Sequence, residues 1–267
     1  MRDIDFVVFI LPAFSHEDYL NALKPHINPG MTLIGLPGGP GFDFQEGSEK
    51  LKKDPVYNLQ YLLGPLPVLD GSGHMLGVQL MSVNAYLHTS IMYGQWKDWD
   101  GDTGDEPPLF YRGLTESAAT LLSSIAEEIV KIASAVEIKT KEEISKVVHI
   151  HLWHLRRHGD DIVDRSTLKT AIQTNAAYQM IQHPVNSDGD GKLRPDFSCR
   201  YLTEDVPYGL VVIRGIAKLV GVHTPNIDLL LKWCQQKMGK EYLVNSKVQG
   251  KDVASSGGPS EIWADHT

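Results

Sequence analysis

The stretch Arg200-Tyr201-Leu202-Thr203-Glu204-Asp205-Val206-Pro207-Tyr208-Gly209-Leu210 sets a guanidinium close to carboxylates and to a proline suited to a first helical turn. A planar guanidinium matches a carboxylate in two-point geometry, so Arg200 could clamp a substrate acid. Asp205 could hold a histidine in one tautomer. The plainer account is that Asp205 caps the helix begun by Pro207 and Arg200 pairs with a surface acid. The candidate histidine is His88, in the apolar stretch Asn84-Ala85-Tyr86-Leu87-His88-Thr89-Ser90, where a histidine is ordinarily a satisfied structural group. Spacing alone does not join it to Asp205.

Other chemistries fit less well. His149, His151, His154 and His158 cluster, the last two at i, i+4, but a zinc hydrolase of the H-E-x-x-H kind needs Glu where Leu155 stands. Histidines on an exposed helix face are expected there, with no metal. Asn186, Asp188, Asp190 and Gly191 imitate the start of a calcium loop, yet its twelfth position is Phe197; a loop begun at Asp98 reaches Thr103 at the sixth and Leu109 at the twelfth. Both read as acidic turns.

Positioning these groups falls to two kinds of element. Phe6 to Leu11 is a continuous apolar run that predicts a strand buried on both faces, stopped by Pro12. Helical spacing follows from His16 to Pro25, then a break at Asn28-Pro29-Gly30 and a second strand over 31–36. Strand, helix and strand make a βαβ unit. Ligands of open α/β sheets gather beyond the carboxyl ends of the strands, where Pro12-Ala13-Phe14-Ser15-His16 and the turn Pro37-Gly38-Gly39-Pro40-Gly41 fall. From about residue 74 helical periodicity takes over, with helices expected at 75–96, 117–136, 142–157, 166–182, 206–220 and 226–238. Gly221 and Gly239 suit C-terminal caps, Pro225 a chain break, and the polar sequence from Ser246 a loose tail.

Composition narrows the class. The 267 residues are 42% hydrophobic and 22% charged, an ordinary globular balance. A net charge of -8 and a pI near 5.7 leave no basic face for nucleic acid. Two cysteines, Cys199 and Cys234, do not make a disulfide framework, and the apolar run at the start is too short for a bilayer. A soluble cytoplasmic protein is expected, with no membrane and no nucleic-acid partner.

Long ordered blocks carry a resemblance. Arg200-Tyr201-Leu202-Thr203-Glu204-Asp205-Val206-Pro207, then Gly215-Ile216-Ala217 and Met238-Gly239-Lys240-Glu241-Tyr242-Leu243, closely resemble the opine dehydrogenases, above all the invertebrate octopine dehydrogenase type. The likeness extends through Pro12-Ala13-Phe14-Ser15-His16, Gly41-Phe42-Asp43-Phe44-Gln45, Gly94-Gln95-Trp96, Pro108-Leu109-Phe110-Tyr111 and His183-Pro184-Val185. It implies reduction of an imine, formed between pyruvate and an amino acid, by NAD (or NADP) in reduced form. By the same resemblance His88 is the catalytic acid/base, Asp205 polarises it, and Arg200 holds the keto-acid carboxylate. Trp153 resembles a substrate-pocket aromatic, although as a bare residue it suits a core equally, and the nicotinamide lies near Pro12, Ala13, Phe14 and His16. Arginine is the first amino acid to consider.

The pattern is also departed from. No G-x-G-x-x-G turn opens a helix before Phe6, and Gly38, Gly39 and Gly41 follow a late strand. Between Gln45 and about Pro55 the chain skips a block present in relatives, and Thr89 follows His88 where relatives often have proline. The expectation is an incomplete chain of class α/β plus all-α: a truncated Rossmann-like parallel sheet in 1–74, a helical substrate and catalytic domain in 75–248, and a flexible tail in 249–267. A truncated, inactive relative that only binds is the alternative.

Overall fold

A helix that is apolar on every side must lie inside something, and Val83–Trp96 is such a helix. The computed structural model describes residues 6–11, 15–27, 32–35, 74–101, 103–144, 146–187, 189 and 191–258. In chain order these hold β1 (Phe6–Phe9), α1 (His16–Leu23), β2 (Thr32–Gly35), α2 (Met75–Leu80), α3 (Val83–Trp96), α4 (Glu116–Thr140), α5 (Ile150–His158) and α6 (Leu168–Gln173). They continue with β3 (Val185–Ser187), β4 (Leu193–Pro195), α7 (Arg200–Thr203), a π-type turn at Val206–Leu210, α8 (Val211–Val220), α9 (Pro225–Met238), β5 (Leu243–Val244) and β6 (Lys247–Val248).

The first unit is the expected βαβ. β1 and β2 run parallel, with Phe6 opposite Thr32 and Phe9 opposite Gly35, and α1 lies between them in the chain. Among the described residues the sheet stops at these two strands, so the full Rossmann-like layer is not on display. β1 is shorter than the apolar run suggested and is not buried on both faces: Val8 is 46% and Ile10 73% exposed. Apolar continuity gives a strand its propensity but does not state what will cover it. Pro12, Ala13, Phe14 and the glycine turn lie outside the described residues, as does the stretch between Gln45 and Pro55.

The helical domain is built around α3, which buries Val83, Ala85, Tyr86, Leu87, Ile91, Met92 and Trp96. Alongside it α4 repeats apolar residues at helical spacing, burying Leu122, Ile125, Ile129, Ile132 and Val136 on one face. α4 starts where the Thr115 hydroxyl accepts from the Ala118 amide, and stops at Lys141 in the left-handed region at φ 64°. Gly94 allows α3 and α4 to touch, since a Cβ there would stand 2.3 Å from that of Ala118. α9 begins with Pro225 at its first turn, its free amides at Asn226 and Ile227 donating to the buried Glu128 carboxylate on α4. Gly221 and Gly239 close α8 and α9 at φ 74° and 63°, as their type predicts.

Several boundaries differ from expectation for local reasons. The helix expected over 75–96 is two, because Ser82 leaves the helical region and the Val83 amide turns back to Met81. Instead of a helix over 142–157, α5 starts only at Ile150, after the left-handed Lys141 and an Ile144 amide that donates to Glu137. The expected helix over 166–182 shrinks to α6, fixed by a Thr167–Thr170 capping box, and a single turn at Ala176–Tyr178. The expected helix over 206–220 opens as a π-type turn: Pro207 has no amide to give, and the Val211 amide reaches back five residues to Val206. Nor is the chain loose from Ser246. Val248 and Val253 are buried, and the Gly257 amide donates to the Pro207 carbonyl, so the tail is docked on that turn as far as residue 258.

The π-type turn lies directly on α3. A Cβ added at Gly209 would stand 2.4 Å from the Ala85 Cβ, within overlap distance. Gly209→Ala should therefore cost about 1–3 kcal/mol in a urea unfolding experiment by forcing two packed backbones apart. Gly189→Ala, where nothing lies within 4 Å, should leave the midpoint almost unmoved. Equal midpoints for the two variants would contradict the close approach.

Candidate active site

Asp205 lies immediately before the π-type turn and His88 two turns into α3, and the contact at Gly209 sets the two elements side by side. His88 Nδ1 stands 2.8 Å from Asp205 Oδ2, although 117 residues separate them in the chain. A carboxylate can only accept, so Nδ1 carries the hydrogen and donates it to Asp205. The neutral ring then presents a lone pair at Nε2, which lies 2.9 Å from the Tyr111 hydroxyl, and that hydroxyl donates. The His88 side chain is 9% exposed and that of Asp205 20%, so the pair sits at the edge of the core with one carboxylate side toward solvent. Asp205 accordingly does not cap its helix: its side chain makes no capping hydrogen bond and is committed to His88.

Aromatic rings pack round the imidazole. The Tyr201 ring lies 4.2 Å from it, tilted by 34°, while Phe110 and Tyr111 meet it edge-on at 5.8 and 6.1 Å. Burial, foremost, together with the neighbouring phenols and Asp205, holds the Tyr111 phenol well above its ordinary pKa. Tyr201 is raised as well, by burial first and then by Cys199 and Asp205. Both therefore stay protonated, and the Tyr111 hydroxyl is the one that donates to His88.

Arg200 pairs with an acid as the plainer account has it, although that acid is mostly shielded, Glu204 being 17% exposed. Its Nε donates to Glu204 Oε2 at 2.7 Å and its terminal nitrogen lies 2.6 Å from the same oxygen, an i, i+4 pair along α7. The Arg200 side chain is 72% exposed, one residue from the Tyr201 ring that covers His88. Trp153 is half-buried on α5, meeting the His154 and His158 rings at 5.0 and 5.7 Å. His158 contacts the Tyr178 hydroxyl at 3.3 Å, and the Tyr178 ring stacks on Tyr111 at 4.1 Å and 17°. Trp153 is thus connected to His88 through a run of ring contacts rather than touching it. His16 opens α1, beyond the edge at which β1 ends.

The residues missed by sequence reasoning are Tyr111 and Tyr201. Both lie within quoted blocks, Pro108-Leu109-Phe110-Tyr111 and Arg200-Tyr201-Leu202, but neither has a spacing that marks it. The first block is held in place by a third: the His183 amide donates to the Pro108 carbonyl, the Phe110 amide to Ile181, and Trp96 Nε1 to His183 Nδ1 at 3.0 Å.

The histidines of α5 are not on an exposed face. His154 is fully buried, with Nδ1 3.0 Å from the Ile150 carbonyl, and His151 and His149 contact the Arg165 carbonyl and Ser123. Among the described residues no three His, Cys, Asp or Glu side chains gather as a metal set. Cys199 and Cys234 are free thiols, and no helix among the described residues is long and apolar enough to cross a membrane.

Comparison with known proteins follows from this geometry. Residues 72–238 match the family of NAD/NADP octopine/nopaline dehydrogenases in its alpha-helical domain. The chain is 41% identical to tauropine dehydrogenase of Arabella iricolor, over 96% of this chain and 76% of that protein. It is 34% identical to octopine dehydrogenase of Pecten maximus, over 94% of this chain and 74% of that protein. Octopine dehydrogenase solved with NADH and L-arginine superimposes with a TM-score of 0.88 at 33% identity, over 97% of this chain and 75% of that one. The complex with NADH and agmatine gives 0.89 at 32% identity, with the same coverage. The aligned region of the tauropine enzyme runs to 303 residues against 267 here, so that relative carries residues inside the matched region that this chain lacks.

Burial also sets a pH dependence. It pulls the His154 pKa from 6.5 to about 4 and that of His183 to about 3, so both are neutral in the folded protein. The unfolded chain binds protons at these positions once the pH falls below 6.5, and the folded chain does not. Unfolding free energy should therefore fall as pH drops from 6.5 toward 4, and His154→Gln should flatten part of that slope. Denaturant melts across this range provide the check.

Proposed function

The chain belongs to the NAD/NADP octopine/nopaline dehydrogenase family, oxidoreductases acting on CH–NH groups, and on that premise we propose that it condenses pyruvate reductively with an amino acid. The observation that carries the proposal is the hydrogen bond between His88 and Asp205. In the reaction an amine adds to the keto carbon, the resulting carbinolamine loses water to give an imine, and a hydride with a proton yields the secondary amine. Each stage moves a proton at nitrogen or oxygen, and an imidazole titrates in the range where it both takes and returns one. His88 Nε2 is the atom that does so, since Nδ1 is fixed on Asp205. Asp205 also stabilises the imidazolium that forms when Nε2 takes a proton. Arg200, exposed beside Tyr201, holds the keto-acid carboxylate. Trp153, with His158 and Tyr178, lines the amino-acid side of the pocket.

NADH or NADPH supplies the hydride when bound. The residues present fit part of such a cofactor's needs. β1 and β2 end level, with Phe9 opposite Gly35, and His16 follows beyond that edge, beside which Pro12, Ala13 and Phe14 belong in sequence. No G-x-G-x-x-G turn occurs among the 267 residues, so the glycine loop that holds a pyrophosphate is not supplied by this sequence. A second reading is a relative that binds substrates without turning them over, while the intact His88–Asp205 pair supports catalysis.

Arginine and taurine are the first amines to try, because octopine and tauropine dehydrogenases are both among the relatives. NADH oxidation measured with pyruvate plus arginine, taurine, glycine or alanine should show turnover with at least one pairing; none with any, alongside no NADH binding by fluorescence, would sink catalysis and leave the binding reading. In an active preparation His88→Ala should lower kcat by about two to four orders of magnitude. A near-normal rate would remove His88 from the mechanism. Arg200→Met should raise KM for pyruvate roughly 10- to 100-fold with the fold intact, as expected for a lost charge-assisted contact.

A further inference from the structure

Both nitrogens of the His88 ring are engaged by this chain's own side chains: Nδ1 by Asp205 and Nε2 by the Tyr111 hydroxyl at 2.9 Å. The second contact is not a loose one. Tyr111 is 6% exposed, its ring is stacked on Tyr178, and the neighbouring Phe110 amide is tied to Ile181. A phenol kept protonated by its surroundings is a donor, and a donor at Nε2 stabilises the neutral imidazole. Asp205 at Nδ1 does the opposite and stabilises the imidazolium. The ring is held between two neighbours that favour different protonation states.

We propose that Tyr111 is a positioning residue for the acid/base step: its hydroxyl fills the place of the substrate donor at Nε2 and, against Asp205, sets the pH at which His88 changes charge. This rests on His88 as the acid/base. Tyr201, on α7, is the third titratable group against the ring, and the Arg200–Glu204 pair lies on the same helix. Among the described residues no charged side chain of α4 or α9 meets the imidazole in a hydrogen bond or ring contact. Asp205, Tyr201 and that ion pair are left unchanged when the Tyr111 oxygen alone is removed.

The test is the NMR titration of the His88 imidazole in the complete chain and in Tyr111→Phe, which keeps the ring and its stack on Tyr178. Removing the donor destabilises the neutral form, so the His88 midpoint should rise by roughly half to one pH unit. The acidic limb of kcat/KM should move up with it. Tyr178→Phe, which leaves the Tyr111 hydroxyl in place, should not shift the midpoint. An unchanged midpoint in Tyr111→Phe overturns the proposal. If that variant does not fold, the 15N shift of Nε2 in the unaltered protein decides: a value displaced as an accepted hydrogen bond requires supports it, and the value of a free imidazole nitrogen overturns it. Should His88→Ala turn over normally, the acid/base reading falls on the rate alone, while the titration still reports whether Tyr111 controls the ring.

Discussion

A carboxylate at the edge of an apolar core is costly unless something shares its charge, and Asp205 has found its partner in His88 at 2.8 Å. The rest of the helical domain is arranged so that this contact can form. α3 is buried along nearly its whole length, which fixes the position of the imidazole to within the tolerance of close packing. Glu128 ties α4 to the first turn of α9, and on α8 the buried Arg214 is held by Asp228 of α9 and donates to the Ser246 carbonyl between β5 and β6. These polar anchors leave the apolar faces of α3, α4, α8 and α9 little freedom to slide past one another. A displacement of 1 Å at either end would lengthen the His88–Asp205 bond beyond useful geometry.

The turn at Val206–Leu210 is the hinge between sequence and site. Pro207 removes an amide, the backbone closes with a reach of five residues, and Gly209 lets this widened turn lie against Ala85. Turns of this kind cost stability relative to a regular helix and often mark functional positions. Here the irregular backbone is covered from outside as well, since the Gly257 amide donates to the Pro207 carbonyl. The segment around Gly257 thus helps to hold the element that presents Asp205.

What could be read from the sequence follows the range of the interactions. Local signals carried well: the parallel pair β1 and β2, the glycine caps at Gly221 and Gly239, the proline start of α9 and the long apolar face of α4. Boundaries set by residues without a strong local preference did not. Lys141 ends α4 in a left-handed conformation that its side chain does not announce, and Ser82 breaks one helix from the next with neither proline nor glycine. The union of His88 with Asp205 lies across 117 residues and has no period to reveal it; only the resemblance of whole blocks put the two together. Tyr111 escaped because aromatic residues beside a buried segment are ordinarily core, and its role depends on a hydroxyl direction that spacing does not encode. A His-rich helix is usually solvated, whereas the His154 ring is fully buried and meets Trp153 and Tyr178 edge-on.

Arg200 and Asp205 stand close together in the chain and are held differently, one by a neighbour along its own helix and the other by a residue 117 positions away. The Arg200–Glu204 pair is an i, i+4 contact between a guanidinium 72% exposed and a carboxylate 17% exposed. An incoming carboxylate that offers two oxygens to the guanidinium fork gains more than Glu204, which meets it through one. Asp205 is mostly shielded, and its release from His88 would leave a charge with little water to replace the bond. A single turn of chain thus carries an ion pair with an exposed guanidinium and a mostly shielded hydrogen bond to His88. The plain reading of Arg200, as a residue paired with an acid, is what the structure shows, and the clamp proposed for it requires a substrate carboxylate to replace that pair.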